Sequence, residues 1–248
     1  MKKAVLIATF ILMSIAAQAH FMVIVPSTDM AEGPEERDIK LHAMFTHPME
    51  GSPKMFWQVE RSGFWLNGKV HPLRWKFAGK DAYATLRLKR PGVYQVFIVP
   101  KPYFEPAEDK FIKQIVKVYV EAFGLEEGWV LPVGLEAEIV PYTRPFGIWE
   151  GNTFVGWAVI NGRPCAHCAV EVEYLNTKGV KVPRAPLTTQ VVVTDERGFF
   201  AYTIPWAGWW GFSVLGDGGT MERNGKRYPV ELDAVLWIKA YPKPEGVR

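Results

Sequence analysis

Three histidines, His20, His42 and His47, are the first candidates for metal ligands in this sequence, because of their residue type and their spacing. His20 directly follows Ala17-Gln18-Ala19, a small-x-small pattern typical of signal-peptide cleavage. Cleavage there would give His20 both a free α-amine and an imidazole. The amine, with a pKa of about 8, and Nδ1 can close a chelate ring on one ion. Such nitrogen ligands suit Ni, Cu, Co or Zn. The alternative is that His20 is merely the first ordered residue after the cut.

His42 and His47 lie in the segment LHAMFTHPMEG, residues 41–51. If residues 39–47 form a strand, alternation places His47 on one face and His42 on the other. One strand therefore cannot easily direct both imidazoles at the same ion. We expect His47, which precedes a proline at the strand end, to be the candidate ligand, with Glu50 three residues later. The alternatives are a hydrogen-bonded strand-end histidine at position 47 and a solvent-facing one at position 42.

Two further segments contain groups that bind metals. The loop KPYFEPAED, residues 101–109, contains Tyr103, Glu105, Glu108 and Asp109, and its oxygens could complete a metal shell. A solvated acidic loop is the simpler interpretation. The segment PCAHC, residues 164–168, is a CxxC motif that follows an Asn-Gly turn and not a helix start, so nothing obvious lowers a thiol pKa. Behind a secretory signal we expect a disulfide between Cys165 and Cys168, with a metal or redox site as the alternative.

The first nineteen residues indicate a secretory signal peptide. Lys2 and Lys3 precede an apolar run over residues 4–15, which is short for a bilayer span. We therefore expect a periplasmic protein cleaved after Ala19, with no membrane insertion of the mature chain. Loss of the two lysines changes the formal charge from +3 to +1. A chain this close to neutral, with no basic block in its sequence, is not expected to bind nucleic acid.

Short runs rich in Val, Ile, Phe, Tyr and Trp alternate with turn signals, which predicts an all-β sandwich fold. Strands are expected at residues 39–46, 82–88, 93–99, 154–160, 169–175, 199–204 and 234–240. Residues 111–123 fit both helical and strand spacing, and their β-branched content favours a strand. The proline-containing segment 141–152 predicts a domain boundary. The expected domains are residues 20–145, which contain the candidate metal ligands, and 146–248.

Signatures of enzymes are scarce in this sequence. It contains no serine nucleophile elbow, no HExxH motif and no glycine-rich phosphate loop before a helix. We therefore expect a protein that is not an enzyme. The pair Trp209 and Trp210 in GWWGF would alternate on a strand, and one exposed tryptophan is weak evidence for glycan binding.

Several stretches together resemble one family across essentially the whole mature chain: AHFMVIVPSTD at the mature start, FTHPMEG (45–51), KPYFEPAEDKFI (101–112), GLEAEIVPYTRPFGIWEGNTF (134–154), TDERGFFAYTIPWAGWWGF (194–212) and ELDAVLWIKA (231–240). They are similar to periplasmic components of cobalt and nickel uptake systems of the energy-coupling-factor type. Much of that family is described only as a domain of unknown function.

The resemblance implies a two-domain β protein that handles Ni or Co for an inner-membrane uptake transporter, with a transthyretin-like, carboxypeptidase-regulatory type of second domain. His20 matches the family's mature-terminal histidine, and His47 matches its Phe-x-His-Pro. Gln114 stands where the family has a histidine, and glutamine is a poorer ligand. The Cys pair is not part of the family pattern. The expected site is His20 and His47, completed by Glu50, Glu108 or Gln114.

Two other functions fit the residues. A copper protein of the terminal-histidine kind would use His20 and His47 to store copper or to activate oxygen. A metal-free β module would bind a protein or a glycan through exposed aromatic side chains.

Overall fold

The computed structural model describes residues 20–246 and is all-β over that range, so the predicted fold class is confirmed. The predicted signal peptide, residues 1–19, lies outside the described residues. Two short 3₁₀ helices, Pro34–Glu36 and Ala185–Leu187, interrupt the strands. The strands are β1 (Phe21–Pro26), β2 (Met30–Ala31), β3 (Asp38–Thr46), β4 (Val59–Leu66), β5 (Lys69–Pro72), β6 (Lys76–Ala78), β7 (Asp81–Arg87), β8 (Gly92–Pro100), β9 (Tyr103–Glu105), β10 (Lys110–Ala122), β11 (Ala137–Pro141), β12 (Ile148–Trp149), β13 (Thr153–Ile160), β14 (Arg163–Pro164), β15 (Ala169–Tyr174), β16 (Gln190–Val193), β17 (Phe199–Thr203), β18 (Gly208–Arg223) and β19 (Lys226–Tyr241).

These strands form three sheets. The N-terminal sheet has the order β1-β3-β7-β6. The central sheet has eleven strands and runs β16-β15-β18-β19-β10-β8-β4-β5, with β2 and β9 paired to β10 and β12 paired to β19. The C-terminal sheet contains β11, β13 and β14, with β17 paired to β13. The seven predicted strands are all present, with ends that differ by one or two residues except at β19, which begins eight residues earlier than expected.

The segment with two possible periodicities is the strand β10, as its β-branched content predicts. It pairs in parallel with β19, from Phe111 opposite Val230 to Val118 opposite Trp237. The following residues of β10 pair with β8 in antiparallel orientation. Both of its faces are buried, which explains why its sequence lacks a clean alternation of polar and apolar residues.

One hydrophobic core lies on each face of the central sheet. Val116, Val118 and Val120 of β10 pack with side chains of the N-terminal sheet. Ile115 and Tyr119 point the opposite way and pack with strands of the C-terminal sheet. The packing is sandwich-like on both sides, and the two cores share one sheet.

The expected boundary between residues 145 and 146 separates two chain segments that share the central sheet. β10 precedes this boundary and β19 follows it, yet their ladder joins the two halves. β11 also precedes the boundary but pairs with β13 in the C-terminal sheet. Of the prolines that predicted the boundary, Pro141 ends β11 and Pro145 lies in the connection to β12, and the division into two domains stays a prediction.

A buried ion pair crosses from the central sheet to the C-terminal sheet. Lys117 Nζ of β10 donates to Glu138 Oε1 of β11 at 2.5 Å, and both side chains are 2% exposed. Burial raises the pKa of Glu138, but the charge of Lys117 and the N–H groups of Val133 and Gly134 outweigh burial and lower it below its usual value. The carboxylate therefore stays ionised inside the protein, where it depends on its cation.

We predict that Lys117→Met destabilises the fold by about 3–5 kcal/mol, because it leaves Glu138 buried without a counter-charge. Urea denaturation measures the loss, and adding Glu138→Gln should recover part of it. The matched control is Lys113→Met on the same strand, whose ammonium pairs with the half-exposed carboxylates of Glu60 and Glu136 and should cost less than about 1 kcal/mol. Equal losses in the two single variants would contradict this assignment.

A candidate metal site at the start of β1

The pairing of β1 with β3 brings His20 and His47 together. The antiparallel register sets Phe21 opposite Thr46, so the two residues just beyond the ladder, His20 and His47, are neighbours. Their ring centroids lie 4.3 Å apart with the planes tilted by 46°. His47 is 4% exposed and the side chain of His20 is 16% exposed. Two imidazoles thus share a nearly closed environment at the end of the N-terminal sheet.

His42 lies on the opposite face of β3, as strand alternation predicts. Its Nε2 is 2.6 Å from Asp81 Oδ1, and its ring stacks on Tyr83 at 4.8 Å. Lys54 Nζ donates to the same carboxylate. His42 is therefore part of an ion-pair cluster that is separate from the histidine pair, and its side chain is 33% exposed to solvent.

The acidic loop supplies the third side of the site. β9 pairs with the beginning of β10, which places Glu105 opposite Lys110. Glu105 Oε2 lies 3.7 Å from His20 Nε2, and the carboxylate is largely buried. The rings of Phe45 and Tyr103 lie 5.6 and 6.3 Å from the ring of His20. An apolar and aromatic wall therefore surrounds two imidazoles and one carboxylate.

The burial and the charged neighbours of His20 determine its protonation state. Burial lowers the pKa of His20 most strongly, and the neighbouring His47 lowers it further. The carboxylates of Glu105 and Glu108 act in the opposite direction but do not reverse the shift. His20 is consequently neutral at neutral pH, which is the form of imidazole that binds metal ions.

Gln114, expected as a ligand that completes the shell, holds the backbone beside His20. Its Nε2 donates to the carbonyl oxygen of His20 at 2.5 Å and to Asp233 Oδ2 at 3.1 Å. Its Oε1 accepts the N–H of Met22 at 2.7 Å. These three bonds occupy the carboxamide and fix the start of β1 on the central sheet, so Gln114 positions His20 and does not present its oxygen to the two rings.

The other two expected ligands lie at the edges of the site. Glu108 forms an ion pair with Lys110 at 2.6 Å, with its side chain 43% exposed, and its charge acts on His20. Glu50 is exposed on the turn after His47, and its charge raises the pKa of Glu173. Of the acidic loop, Glu105 is the carboxylate that forms an ion pair with His20. In residues 20–246 no group of three His, Cys, Asp or Glu side chains lies close enough to hold a metal ion by itself.

A set of buried polar side chains on the central sheet adjoins the histidine pair, and sequence patterns did not single it out. Glu173 Oε2 accepts the N–H of Met49, two residues after His47, and Glu173 also accepts a hydrogen bond from Thr189. Asp233 and Ser213 are fully buried, and Asp233 Oδ1 and Ser213 Oγ have no hydrogen-bond partner among the described residues. Alternation in β15 puts Glu171 and Glu173 on the face opposite Val170 and Val172. In the sequence, this alternation predicts an ordinary solvent-exposed face.

Burial changes the acidity of these groups. It raises the pKa of Glu171 to about 7, with a further contribution from Glu231. It also raises the pKa of Glu173 to about 7, opposed by the hydrogen bonds from Thr189 and Met49. Burial raises the pKa of Asp233 well above its usual value as well, with Glu231 adding to the effect. Such raised values mean that the folded protein binds protons that the unfolded chain releases.

Cys165 and Cys168 form a disulfide in the structure, with Cα atoms 5.7 Å apart. The Thr194 hydroxyl donates to the carbonyl oxygen of Cys165 and accepts the N–H of Cys168, which ties the loop to the segment after β16. His167 between them has a left-handed backbone with φ of 56°. The bridged loop is thus part of the C-terminal half of the chain.

These features define an all-β protein with a buried histidine pair beside a carboxylate. The chain belongs to the family described as Domain of unknown function (DUF4198), whose model matches residues 17–218. No curated protein matches the sequence. No helix in the described part of the chain is long and apolar enough to cross a membrane.

Two of the solved structures that match this chain cover most of its length at low similarity. Trypsin-activated alpha-2-macroglobulin from Escherichia coli is 10% identical with a TM-score of 0.28, and the match covers 90% of this chain but 16% of that chain. BcpA, the major pilin subunit of Bacillus cereus, is 10% identical with a TM-score of 0.22, and the match covers 90% of this chain and 66% of that chain. At TM-scores this low, neither similarity carries an argument about this protein.

We predict that Glu171→Gln with Glu173→Gln stabilises the protein more at pH 8 than at pH 5. Both carboxyls have a folded-state pKa of about 7 and an ordinary value of 4.5, so their favourable contribution is complete below about pH 4.5 and is lost as the pH rises to 7. The amides of the double variant do not ionise, so the variant does not lose this stability as the pH rises. The difference between variant and wild-type unfolding free energies should grow by on the order of 5 kcal/mol between pH 5 and pH 8, about half of it from each carboxyl.

Chemical denaturation at a series of pH values measures this difference. The control is Glu222→Gln on the exposed part of β18, which should shift stability equally at all pH values. A pH-independent effect of the double variant would show that the two carboxyls are ionised in the folded protein.

We predict that Cys165→Ser with Cys168→Ser lowers the melting temperature by only a few degrees, because a bridge across so short a loop removes little chain entropy. Differential scanning calorimetry measures this shift, and metal titration of the same variant should match wild type. Loss of metal binding would instead move the site to the CAHC loop.

Proposed function

We propose that this protein is a periplasmic binding and delivery protein for Ni²⁺ or Co²⁺, which it passes to an inner-membrane uptake transporter. The observation that carries the proposal is the contact between the His20 and His47 rings, 4.3 Å apart in a nearly closed environment. Two imidazoles held together away from solvent are a typical arrangement of nitrogen ligands for these ions.

Signal-peptide cleavage would complete the ligand set. Within the precursor, the nitrogen of His20 is an amide, and the side chains of residues 20–246 alone do not make a three-ligand group. Cleavage after Ala19 converts that amide to an amine on the same residue as an imidazole. The amine and imidazole of His20, with the imidazole of His47, then provide three nitrogens.

Glu105 is the oxygen group best placed to assist. It lies 3.7 Å from His20 Nε2 and is mostly buried. A carboxylate at this position either binds the ion directly or orients the imidazole through a hydrogen bond, and both roles strengthen metal binding. Glu108 is partly exposed, and its charge favours a cation at His20.

Copper is the second candidate cargo, because an amine and two imidazoles also suit Cu²⁺, which stands above Ni²⁺ and Co²⁺ in the affinity order. The rings of Phe45 and Tyr103 pack beside His20, whose side chain is 16% exposed, and this sheltered setting favours binding over oxygen activation. A copper enzyme would show turnover that depends on oxygen or peroxide, whereas a binding protein would show none.

We predict that one extra residue ahead of His20 weakens binding of Ni²⁺ and Co²⁺ by orders of magnitude, because the amine becomes an amide. His20→Ala should have the same effect, and His47→Ala should be nearly as damaging, since each removes an imidazole from the pair. Calorimetric titration of Ni²⁺, Co²⁺ and Cu²⁺ into the processed protein and its variants measures these losses.

The matched control is His42→Ala, which removes an imidazole from the same strand but from the Asp81 cluster on the other face. It should bind metal like wild type. If the extended and native termini bind alike, the histidine at the cleavage site has no role and the proposal is wrong.

A further inference from the structure

The near-neutral mature chain has a strongly uneven distribution of charge. Residues 37–90 contain eleven Lys and Arg but only four Asp and Glu, a formal charge of +7, whereas the whole mature chain carries +1. No short run in this segment is basic enough to stand out, because the cations are spread over β3 to β7 and the turn that follows. The fold places seven of them along two clefts of the N-terminal half.

Four of these cations line one cleft with a volume of about 400 Å³. The cleft lies between β5 and the turn that joins β7 to β8, and its basic side chains are Lys69, Arg87, Lys89 and Arg90, with His71 beside them. Its remaining lining is apolar or aromatic, and none of its lining residues is acidic. Four like charges around a shared concavity repel one another, and an anion in the cleft would relieve that repulsion.

The walls of the cleft are fixed before any ligand binds. The buried Tyr94 hydroxyl accepts the N–H groups of Lys89 and Arg90 and donates to the carbonyl oxygen of Arg90, which locks the turn onto β8. On the other wall, the His71 ring stacks on Phe64 at 5.0 Å, with the planes 20° apart. Binding would therefore order only the ends of the basic side chains, and this keeps its entropic cost low.

One of the four cations has a weak internal partner. Arg87 Nη1 lies 3.1 Å from Asp38 Oδ2, with both side chains well exposed, so the pair contributes little and leaves other guanidinium donors available. A neighbouring cleft of about 480 Å³, lined by Lys40, Arg74 and Lys76, extends the positive field across the outer face of β7. The field therefore favours a ligand of multiple negative charge.

We propose that this basic cleft binds a molecule that bears two or more phosphoryl groups. Guanidinium forks and ammonium groups together match the several oxygens of phosphoryl anions, and Arg87 and Arg90 provide the forks. A single carboxylate would leave three of the four cations without a counter-charge. The cleft lies on a different part of the N-terminal half from the histidine pair and shares no lining residue with it.

The test is calorimetric titration of tripolyphosphate into the processed protein at low and high salt. We expect binding that weakens with salt, and a loss of about tenfold or more in Lys89→Glu with Arg90→Glu, which reverses two of the cations. The control is Lys178→Glu with Lys181→Glu, the same charge change on exposed residues outside the cleft, which should bind like wild type. Equal losses in both double variants, or no binding by wild type, would overturn the proposal.

Two further measurements identify the source of the phosphoryl groups and separate this site from the metal site. Sedimentation with vesicles of phosphatidylcholine alone, or of phosphatidylcholine mixed with cardiolipin, a lipid with two phosphoryl groups, distinguishes lipid headgroups from soluble anions. Vesicle binding in addition to tripolyphosphate binding supports a lipid source, and tripolyphosphate binding alone supports a soluble one. Binding to vesicles without tripolyphosphate binding would contradict the proposal that this cleft binds phosphoryl groups.

Ni²⁺ titration of the Lys89→Glu, Arg90→Glu variant should match wild type. If the phosphoryl proposal fails, the metal proposal is therefore unaffected.

Discussion

The parallel pairing of β10 with β19 is the constraint on which the rest of this structure depends. It joins two chain segments, far apart in sequence, into one sheet with a hydrophobic core on each face. In the middle of a strand buried on both faces a charged or amide side chain does not meet water, so Gln114 and Lys117 need partners inside the protein. Lys117 has Glu138, and Gln114 has Asp233 and the backbone of β1.

The candidate site follows from the second of these pairings. Gln114 reaches across from the central sheet to the carbonyl oxygen of His20, and Trp237 Nε1 donates to the carbonyl oxygen of Met22. These two bonds fix where β1 begins, and the β1–β3 register then decides that His20 meets His47. An imidazole at position 114 could not make all three of the hydrogen bonds that Gln114 makes, so the glutamine positions the backbone beside the candidate site.

The sequence predicted the all-β class, the main strands and the opposite orientations of His42 and His47, because those follow from local periodicity. Periodicity cannot predict which strands pair across long distances, so the shared central sheet and the place of β11 in the C-terminal sheet came only from the structure. The same limit applies to the polar residues. Glu171, Glu173 and Asp233 have nothing in their spacing that separates a buried carboxyl from a solvated one, and the basic cleft is assembled from cations spread over some fifty residues.

The central claim is that export creates the site by exposing an amine on a residue that already faces a second imidazole. Native mass spectrometry of the protein isolated after export, from cells supplied with Ni²⁺, Co²⁺ and Cu²⁺, tests it most directly, because one spectrum reports both the first residue and the bound ion. The account predicts a chain that begins at His20 and carries a single transition-metal ion. A metal-free chain, or one that begins at Phe21 or later, would contradict it.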